Sequence, residues 1–297
     1  MKIVLGIPDG RLPIWELGVP LMINQLTWEK IPWENETWVD SGGYQIMMRR
    51  MDVNLETVYK KYTYLNAKVF MSLDRPVPPC SPVPRENFQN FEFLYHKLED
   101  RDIVPVIHAY NRESLMESID FYKSYGVKKI AYGGIVPPTM GQRGSRDLVR
   151  KIYKVIRKHL SSTWIHVLGA GSPYMRTIFY DANSVDTSTY RIKAIHGMVI
   201  IPGKGERYVG ERKIVWRVKR ASQEELDSLL SFLEKTSFPF RVDLSHWKQR
   251  SLINAWVLIK SSYSSKRQEV EPEMNLSEME DEIGEQCDKL SNSLLSA

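Results

Sequence analysis

The hexapeptide Asp40-Ser41-Gly42-Gly43-Tyr44-Gln45 sets a carboxylate, a hydroxyl, two glycines and an aromatic ring side by side. A carboxylate can take up or release a proton, glycines let the backbone turn or approach a ligand closely, and a ring can stack. Those are the parts of a site for a flat, polar ligand. The same residues also read as a Gly-Gly turn capped by Asp40. Further clusters of polar residues and glycines stand at Asp74-Arg75-Pro76, His108-Ala109-Tyr110, Gly133-Gly134, Gly169-Ala170-Gly171 and Asp186-Thr187-Ser188.

The elements that must position them are short apolar runs. Strands are expected at Lys2–Gly6, Pro20–Asn24, Thr37–Asp40, Lys68–Leu73, Ile103–Ala109, Lys129–Gly134, Trp164–Gly169 and Ser184–Thr187, several apolar throughout as strands buried on both faces should be. A short helix-like stretch follows at Gln45–Met51. Longer helical segments are expected at Asn54–Ala67, Arg85–Asp100, Arg112–Tyr125, Ser145–Leu160 and Pro173–Ala182. Alternation of this kind predicts an α/β fold, a TIM (β/α)8 barrel irregular at its start, where the first two connections are too short for full helices. From the third strand onward each run ends in one of the clusters. In such a barrel those ends share one mouth, so residues spread over almost 150 positions would converge there.

The chain has 297 residues and a formal net charge of +5, with 42% hydrophobic and 26% charged residues, a composition of soluble globular proteins. No apolar run approaches the length needed to cross a bilayer, and a cytoplasmic protein is expected. Cys80 and Cys287 are too few for a disulfide framework and offer no zinc motif, so neither metal nor cofactor is expected. From Arg267 to Ala297 nine acidic residues face two basic ones, a net of −7, which leaves +12 on residues 1–266. A body this basic suggests a polyanionic partner, or else only a basic surface that confers solubility. Three regions are expected: a catalytic barrel over residues 1–196, a basic α+β extension over 197–260, and a disordered acidic tail over 261–297. In the extension, Lys204, Arg207, Arg212 and Lys213 surround a Pro-Gly-Lys-Gly turn and are candidates for nucleic-acid backbone contacts. Arg146, Arg150, Lys154 and Lys158 repeat along one face of the helix expected at Ser145–Leu160. That face is either solvated or a ridge for phosphates.

In order along the chain, these clusters resemble the guanine transglycosylase family, whose familiar members act on transfer RNA. The family has Asp-Ser-Gly-Gly-Phe-Gln where this chain has residues 40–45. It has a strand ending in Asp before a Pro-containing loop, as at Ser72-Leu73-Asp74-Arg75-Pro76, and a Gly-Gly-Leu strand end, here Gly133-Gly134-Ile135. It has Met-Gly-Val-Gly-Thr-Pro, here Leu168-Gly169-Ala170-Gly171-Ser172-Pro173, and then a Phe-Asp segment, here Val185-Asp186. The family fold is the barrel inferred from the pattern.

The resemblance implies exchange of a nucleic-acid guanine for a 7-deazaguanine base. Asp186 would be the nucleophile at C1′, and Asp40 the general acid and base. Asp74 and His108 would read the edge of the base, His108 standing where the family has a Gln. The backbone of Ser41, Gly43, Gly133, Gly134 and Gly169 would approach the base, and Tyr44 and Leu168 would enclose its ring. Without a family behind them, Asp74 also fits a turn cap, Asp186 an ordinary strand-end aspartate and His108 a core residue. The family's zinc ligands, three cysteines and a histidine after the nucleophile strand, are absent here, which makes DNA the expected partner ahead of transfer RNA. No membrane partner is expected, and a homodimer is allowed. The rival readings are a non-catalytic nucleic-acid-binding barrel and an enzyme acting on a free nucleoside or small glycoside.

Overall fold

The structure is a computed structural model that describes residues 1–135, 145–210, 218–261 and 275–295. The first third of the chain forms strands β1 (Lys2–Gly6), β2 (Leu21–Asn24) and β3 (Thr37–Asp40), helices α1 (Gly43–Arg49) and α2 (Leu55–Tyr64), and strand β4 (Val69–Met71). Helix α3 (Arg85–Lys97), strands β5 (Asp102–Val104) and β6 (Val106–Ile107), and helix α4 (Arg112–Ser124) follow. Next come β7 (Lys129–Tyr132), α5 (Ser145–His159), β8 (Trp164–Val167), α6 (Pro173–Ile178), β9 (Ser184–Thr187) and α7 (Thr189–Ile195). The chain continues through the hairpin β10 (Met198–Ile201) and β11 (Gly205–Tyr208) to helices α8 (Gln223–Lys235), α9 (Trp247–Lys260) and α10 (Leu276–Leu295).

Strands β1 to β9 make one sheet in which every pairing is parallel and chain neighbours lie side by side. Its two outer strands, β5 and β6, are separated only by Pro105 and act as one bent stave. Proline has no N–H for the ladder, yet its carbonyl still accepts from Ala131 N at 2.8 Å. With the two pieces counted together, eight staves return on themselves as a nearly closed, TIM-like barrel. The expected strand at Ile103–Ala109 is thus broken at its proline.

Alternation along the staves makes two cores. Val4, Met22, Trp38, Val69, Met71, Val104, Val106 and Ala131 fill the barrel, with Leu168 packed against them. Their neighbours Leu5, Ile23, Val39, Phe70, Ile103, Ile130, Ile165 and Val185 face outward into a second, larger core shared with the helices. After β1 comes only a short 3-10 helix, Ile14–Leu17, and after β2 no α-helix, and tryptophans cover the staves there. Trp15 stacks on Trp33 at 5.6 Å, Trp28 meets Trp33 edge-on at 4.9 Å, and Trp28 Nε1 donates to Ile7 O at 2.9 Å.

Beyond β9 the buried Asn254 of α9 ties three segments together. It accepts from Ile200 N at 2.7 Å and donates to the carbonyls of Tyr190 and Met198, each at 3.1 Å. The hairpin is thereby fixed to α7 and α9.

The acidic C-terminal region departs from expectation. Residues 276–295 form a helix rather than a disordered tail, and α10 packs on α4 and α5. Met279, Ile283 and Cys287 recur every fourth position and are buried, so the helix has an apolar stripe to bury despite its charge. Its carboxylates find partners on the barrel: Glu282 pairs with Lys151, Asp281 with Arg112 at 3.0 Å, and Glu280 lies 2.8 Å from His159 Nε2. Cys287 also forms a disulfide with Cys80, a bond that cysteine counting did not foresee.

Candidate active site

The mouth lies at the C-terminal ends of the staves. Asp40 closes β3 beside Asn24, its register partner on β2, and Asn24 Nδ2 donates to Asp40 Oδ2 at 3.1 Å. The amide cannot turn over freely, because Asn24 Oδ1 accepts from Leu26 N at 2.8 Å. Burial pushes the Asp40 carboxyl up to about 7, and the negative charges of Asp74 and Asp186 push the same way. The backbone N–H of Gly42 opposes them. Three carboxylates therefore share one field.

Asp74 is held in the loop after β4. Ser41 Oγ donates to its Oδ1, and His108 Nε2 lies 2.8 Å from its Oδ2. Asp74 and His108 are both buried. Gly43 presses against this carboxylate, since a Cβ there would stand 2.8 Å from both Asp74 O and Oδ1. Only glycine fits. Two asparagines of α3 hold the loop from behind: Asn90 Nδ2 donates to Leu73 O at 3.0 Å, and Asn87 Oδ1 accepts from Arg75 N at 2.7 Å.

On the opposite side, Asp186 Oδ1 accepts from Gly169 N at 2.7 Å and lies 3.2 Å from His166 Nε2. Gly133 sits between His108 and Leu168, each of which would be 3.2 Å from a Cβ at that position. Gly134, at φ 72°, lies over His108 Nδ1, a buried nitrogen with no hydrogen-bond partner. Tyr44 stands exposed on α1 and Leu168 is half-buried. Ser41, Gly43, Asp74, His108, Gly133 and Gly134 therefore form one connected wall. Asp40, Gly169 and Asp186 join it through the bonds and fields described above.

A cleft of about 400 Å³ leads away from this wall past Gly43 and Asp74, between α1 and the loop before α3. Met47, Arg50, Met51, Arg75 and Glu86 line it. Among the described residues, no group of three or more His, Cys, Asp or Glu side chains is arranged to hold a metal ion. No helix among them is long and apolar enough to cross a membrane.

The basic candidates fare differently. Arg207 is not a free phosphate contact. Its Nε bonds both carboxylate oxygens of Glu225 at 2.9 and 3.0 Å, and its Nη1 donates to the carbonyls of Lys204 and Glu206. It fastens the hairpin to α8, a use visible in sequence only as an acidic first turn. Lys204 is exposed at the hairpin turn. Arg212 and Lys213 lie outside the described residues. On α5, Arg150, Lys154 and Lys158 all have partners, and Arg146 stacks over Tyr174 at 5.5 Å. Arg146 and Lys158 are exposed.

Two residues at the site carried no motif. Asn24 could have been found as the inward-facing neighbour of Asp40 in register, and His166 as the inward position two before Leu168.

No family model matches the chain. Uncharacterized protein 306 of Sulfolobus islandicus rod-shaped virus 1 is 40% identical over 269 residues, an alignment covering 90% of this chain and 84% of that protein. The chain, with its parallel barrel and the carboxylates at its mouth, belongs to the same family as that viral protein.

Proposed function

We propose that the protein exchanges a guanine of nucleic acid for a 7-deazaguanine base through a covalent sugar–Asp186 intermediate, with DNA as the substrate. The observation that carries this reading is the contrast between two carboxylates at one mouth. Asp186 is anchored through one oxygen by N–H donors, as a nucleophile needs, whereas Asp40 is pushed up to about 7, as a proton carrier needs.

In the first half-reaction the free oxygen of Asp186 attacks C1′ and the glycosidic C–N bond breaks. Its electron pair leaves with guanine, and protonated Asp40 gives that base a proton. In the second, Asp40 takes the ring N–H proton of the incoming base, whose nitrogen attacks C1′ and releases the Asp186 carboxylate. This is the double displacement of a retaining glycosidase with a base as the final acceptor. Asp74 accepts from the N–H groups of the guanine edge, and Ser41 and His108 keep its carboxylate aimed. A base reaching this wall has left its stack, and the exposed Tyr44 offers it a ring face.

DNA is preferred because the cysteines that hold zinc in the transfer-RNA enzymes are missing, and the two cysteines present are joined to each other. Exposed Arg49 at the end of α1 and Arg50 just after it place positive charge beside the cleft for the strand to follow.

Incorporation of labelled guanine into duplex DNA, single-stranded DNA and transfer RNA, run in parallel, tests the reading. Label is expected in DNA, and more readily where the base is unpaired. Asp186→Asn should abolish it while nucleic-acid binding persists. Unchanged turnover in Asp186→Asn ends the assignment, and label in transfer RNA alone overturns the choice of substrate.

A further inference from the structure

Behind Asp186 runs a chain of buried groups that no motif announced. Trp164 Nε1 lies 2.8 Å from Ser184 Oγ, Ser184 Oγ lies 2.9 Å from His166 Nδ1, and His166 Nε2 lies 3.2 Å from Asp186 Oδ1. His166 and Ser184 are fully buried, and the His166 ring packs on Trp38 at 4.8 Å.

The donor inventory favours one direction for this chain. Indole N–H can only donate, so Ser184 Oγ accepts from Trp164. The arrangement that satisfies every group in the chain sends the single hydroxyl hydrogen of Ser184 to His166 Nδ1. With Nδ1 accepting, the ring proton sits on Nε2 and faces Asp186. Gly169 N–H, from a residue at φ 71°, reaches the same carboxylate oxygen at 2.7 Å. Both bonds fall on Oδ1.

We infer that His166, oriented by Ser184 and Trp164, is a positioning residue for Asp186, fixing Oδ1 so that Oδ2 is the oxygen offered to C1′. The inference rests on the base-exchange reading. On attack, Oδ2 becomes the bridging oxygen of a glycosyl ester and Oδ1 its carbonyl oxygen. When the incoming base displaces the ester, the C1′–Oδ2 electron pair returns to the carboxylate. The two N–H groups on Oδ1 stabilise the charge that develops there. No proton passes through His166 in either half. Among the described residues, Asp40 on β3 shares this field, and its own ionisation responds to Asp186.

His166→Phe keeps a ring against Trp38 and removes both ring nitrogens. Turnover in the full-length protein is expected to fall about 10- to 100-fold, with KM for the incoming base nearly unchanged, as for loss of one donor to a developing charge. The acidic limb of the pH–rate profile should move up, because Asp186 loses a donor to its ionised form. His166→Gln, which restores an N–H on a side chain of similar reach, should recover part of the loss. Ser184→Ala, which frees the tautomer, should give a smaller loss in the same direction. A role in packing alone would lower Tm and leave the acidic limb where it was.

Carboxyl ¹³C NMR of Asp186 supplies a second readout that needs no turnover, and its titration midpoint should rise in His166→Phe. An unmoved acidic limb and an unmoved ¹³C midpoint in folded His166→Phe, or in His166→Leu should the first variant not fold, overturn the inference. If the wild type exchanges no base in any nucleic acid, the base-exchange reading falls. The Asp186 titration alone then decides whether His166 holds that carboxylate.

Discussion

Replacing Asp40 by Asn should make the protein more stable and inactive, and the gain should depend on pH in one direction only. The Asp40 carboxyl is raised from 3.8 to about 7. Between those values the folded chain keeps a proton that the unfolded chain has lost, so the unfolded state gains on the folded one as pH rises. The full difference, about 3 pH units at 1.36 kcal/mol each, sets a ceiling of about 4 kcal/mol that Asp40 costs the wild type above pH 7. Asp40 is only half-buried and water reaches the mouth, which screens the field and brings the expected cost nearer about 2 kcal/mol. Asn keeps the bond from Asn24, since its amide oxygen accepts as the carboxylate does. The variant removes a charge rather than a contact. For a chain of 297 residues the gain corresponds to a rise in Tm of about 3 °C at pH 8. Well below pH 3.8, where Asp40 is protonated in both states, the two proteins should melt together. Scanning calorimetry at half-unit steps from about pH 3 to pH 8 measures this directly. A Tm difference that is flat across the range, or a variant less stable at pH 8, would refute the account of Asp40.

Gly43→Ala places a methyl group 2.8 Å from the Asp74 carboxylate, so KM for the base should rise at least about tenfold while Tm falls only modestly. An unchanged KM would mean that Asp74 does not read the base. Cys80→Ser, or reduction of the disulfide, opens a link between positions 207 residues apart, whose loop-closure entropy amounts to about 5 kcal/mol. The melting temperature under reductant should drop accordingly, and an unaffected Tm would show that α10 docks without the bond. Arg207→Ala should loosen the hairpin from α8, because Glu225 loses its charged partner and keeps only the bond from Ser222 N. Its salt dependence of nucleic-acid binding should match that of the wild type, and a slope lowered by about one would return Arg207 to the phosphates.

The barrel was legible because parallel strands buried on both faces leave apolar runs that little else produces. Even so, the run at Ile103–Ala109 hid its break, since Pro105 interrupts hydrogen bonding without interrupting hydrophobicity. The C-terminal helix was illegible for the opposite reason. Nine acidic residues outweigh a stripe of Met279, Ile283 and Cys287 in any reading of composition, yet their cost depends on what they face. Lys151 and Arg112 supply cations and His159 a ring nitrogen, and those residues are remote in sequence. Charge counted along the chain cannot reveal charge paired across it. The same error promoted Arg207, whose partner Glu225 lies 18 positions away on another element.

At the mouth the asymmetry is more instructive. Residues at the ends of staves were legible because a parallel barrel sends every C-terminal end to one side, whatever their separation in sequence. The residues that tune them sit one layer deeper or one stave over, and nothing local distinguishes them. Asn24 acquires meaning only from its register with Asp40, and His166 only because β8 and β9 place it level with Ser184 and Asp186. Both are polar residues on strand faces that otherwise carry Met22, Trp38 and Leu168, where an unpaired polar group would be costly. A polar residue on the inward face of a barrel strand must therefore have a partner within hydrogen-bond reach. At the C-terminal end of the stave, that partner is the carboxylate next door.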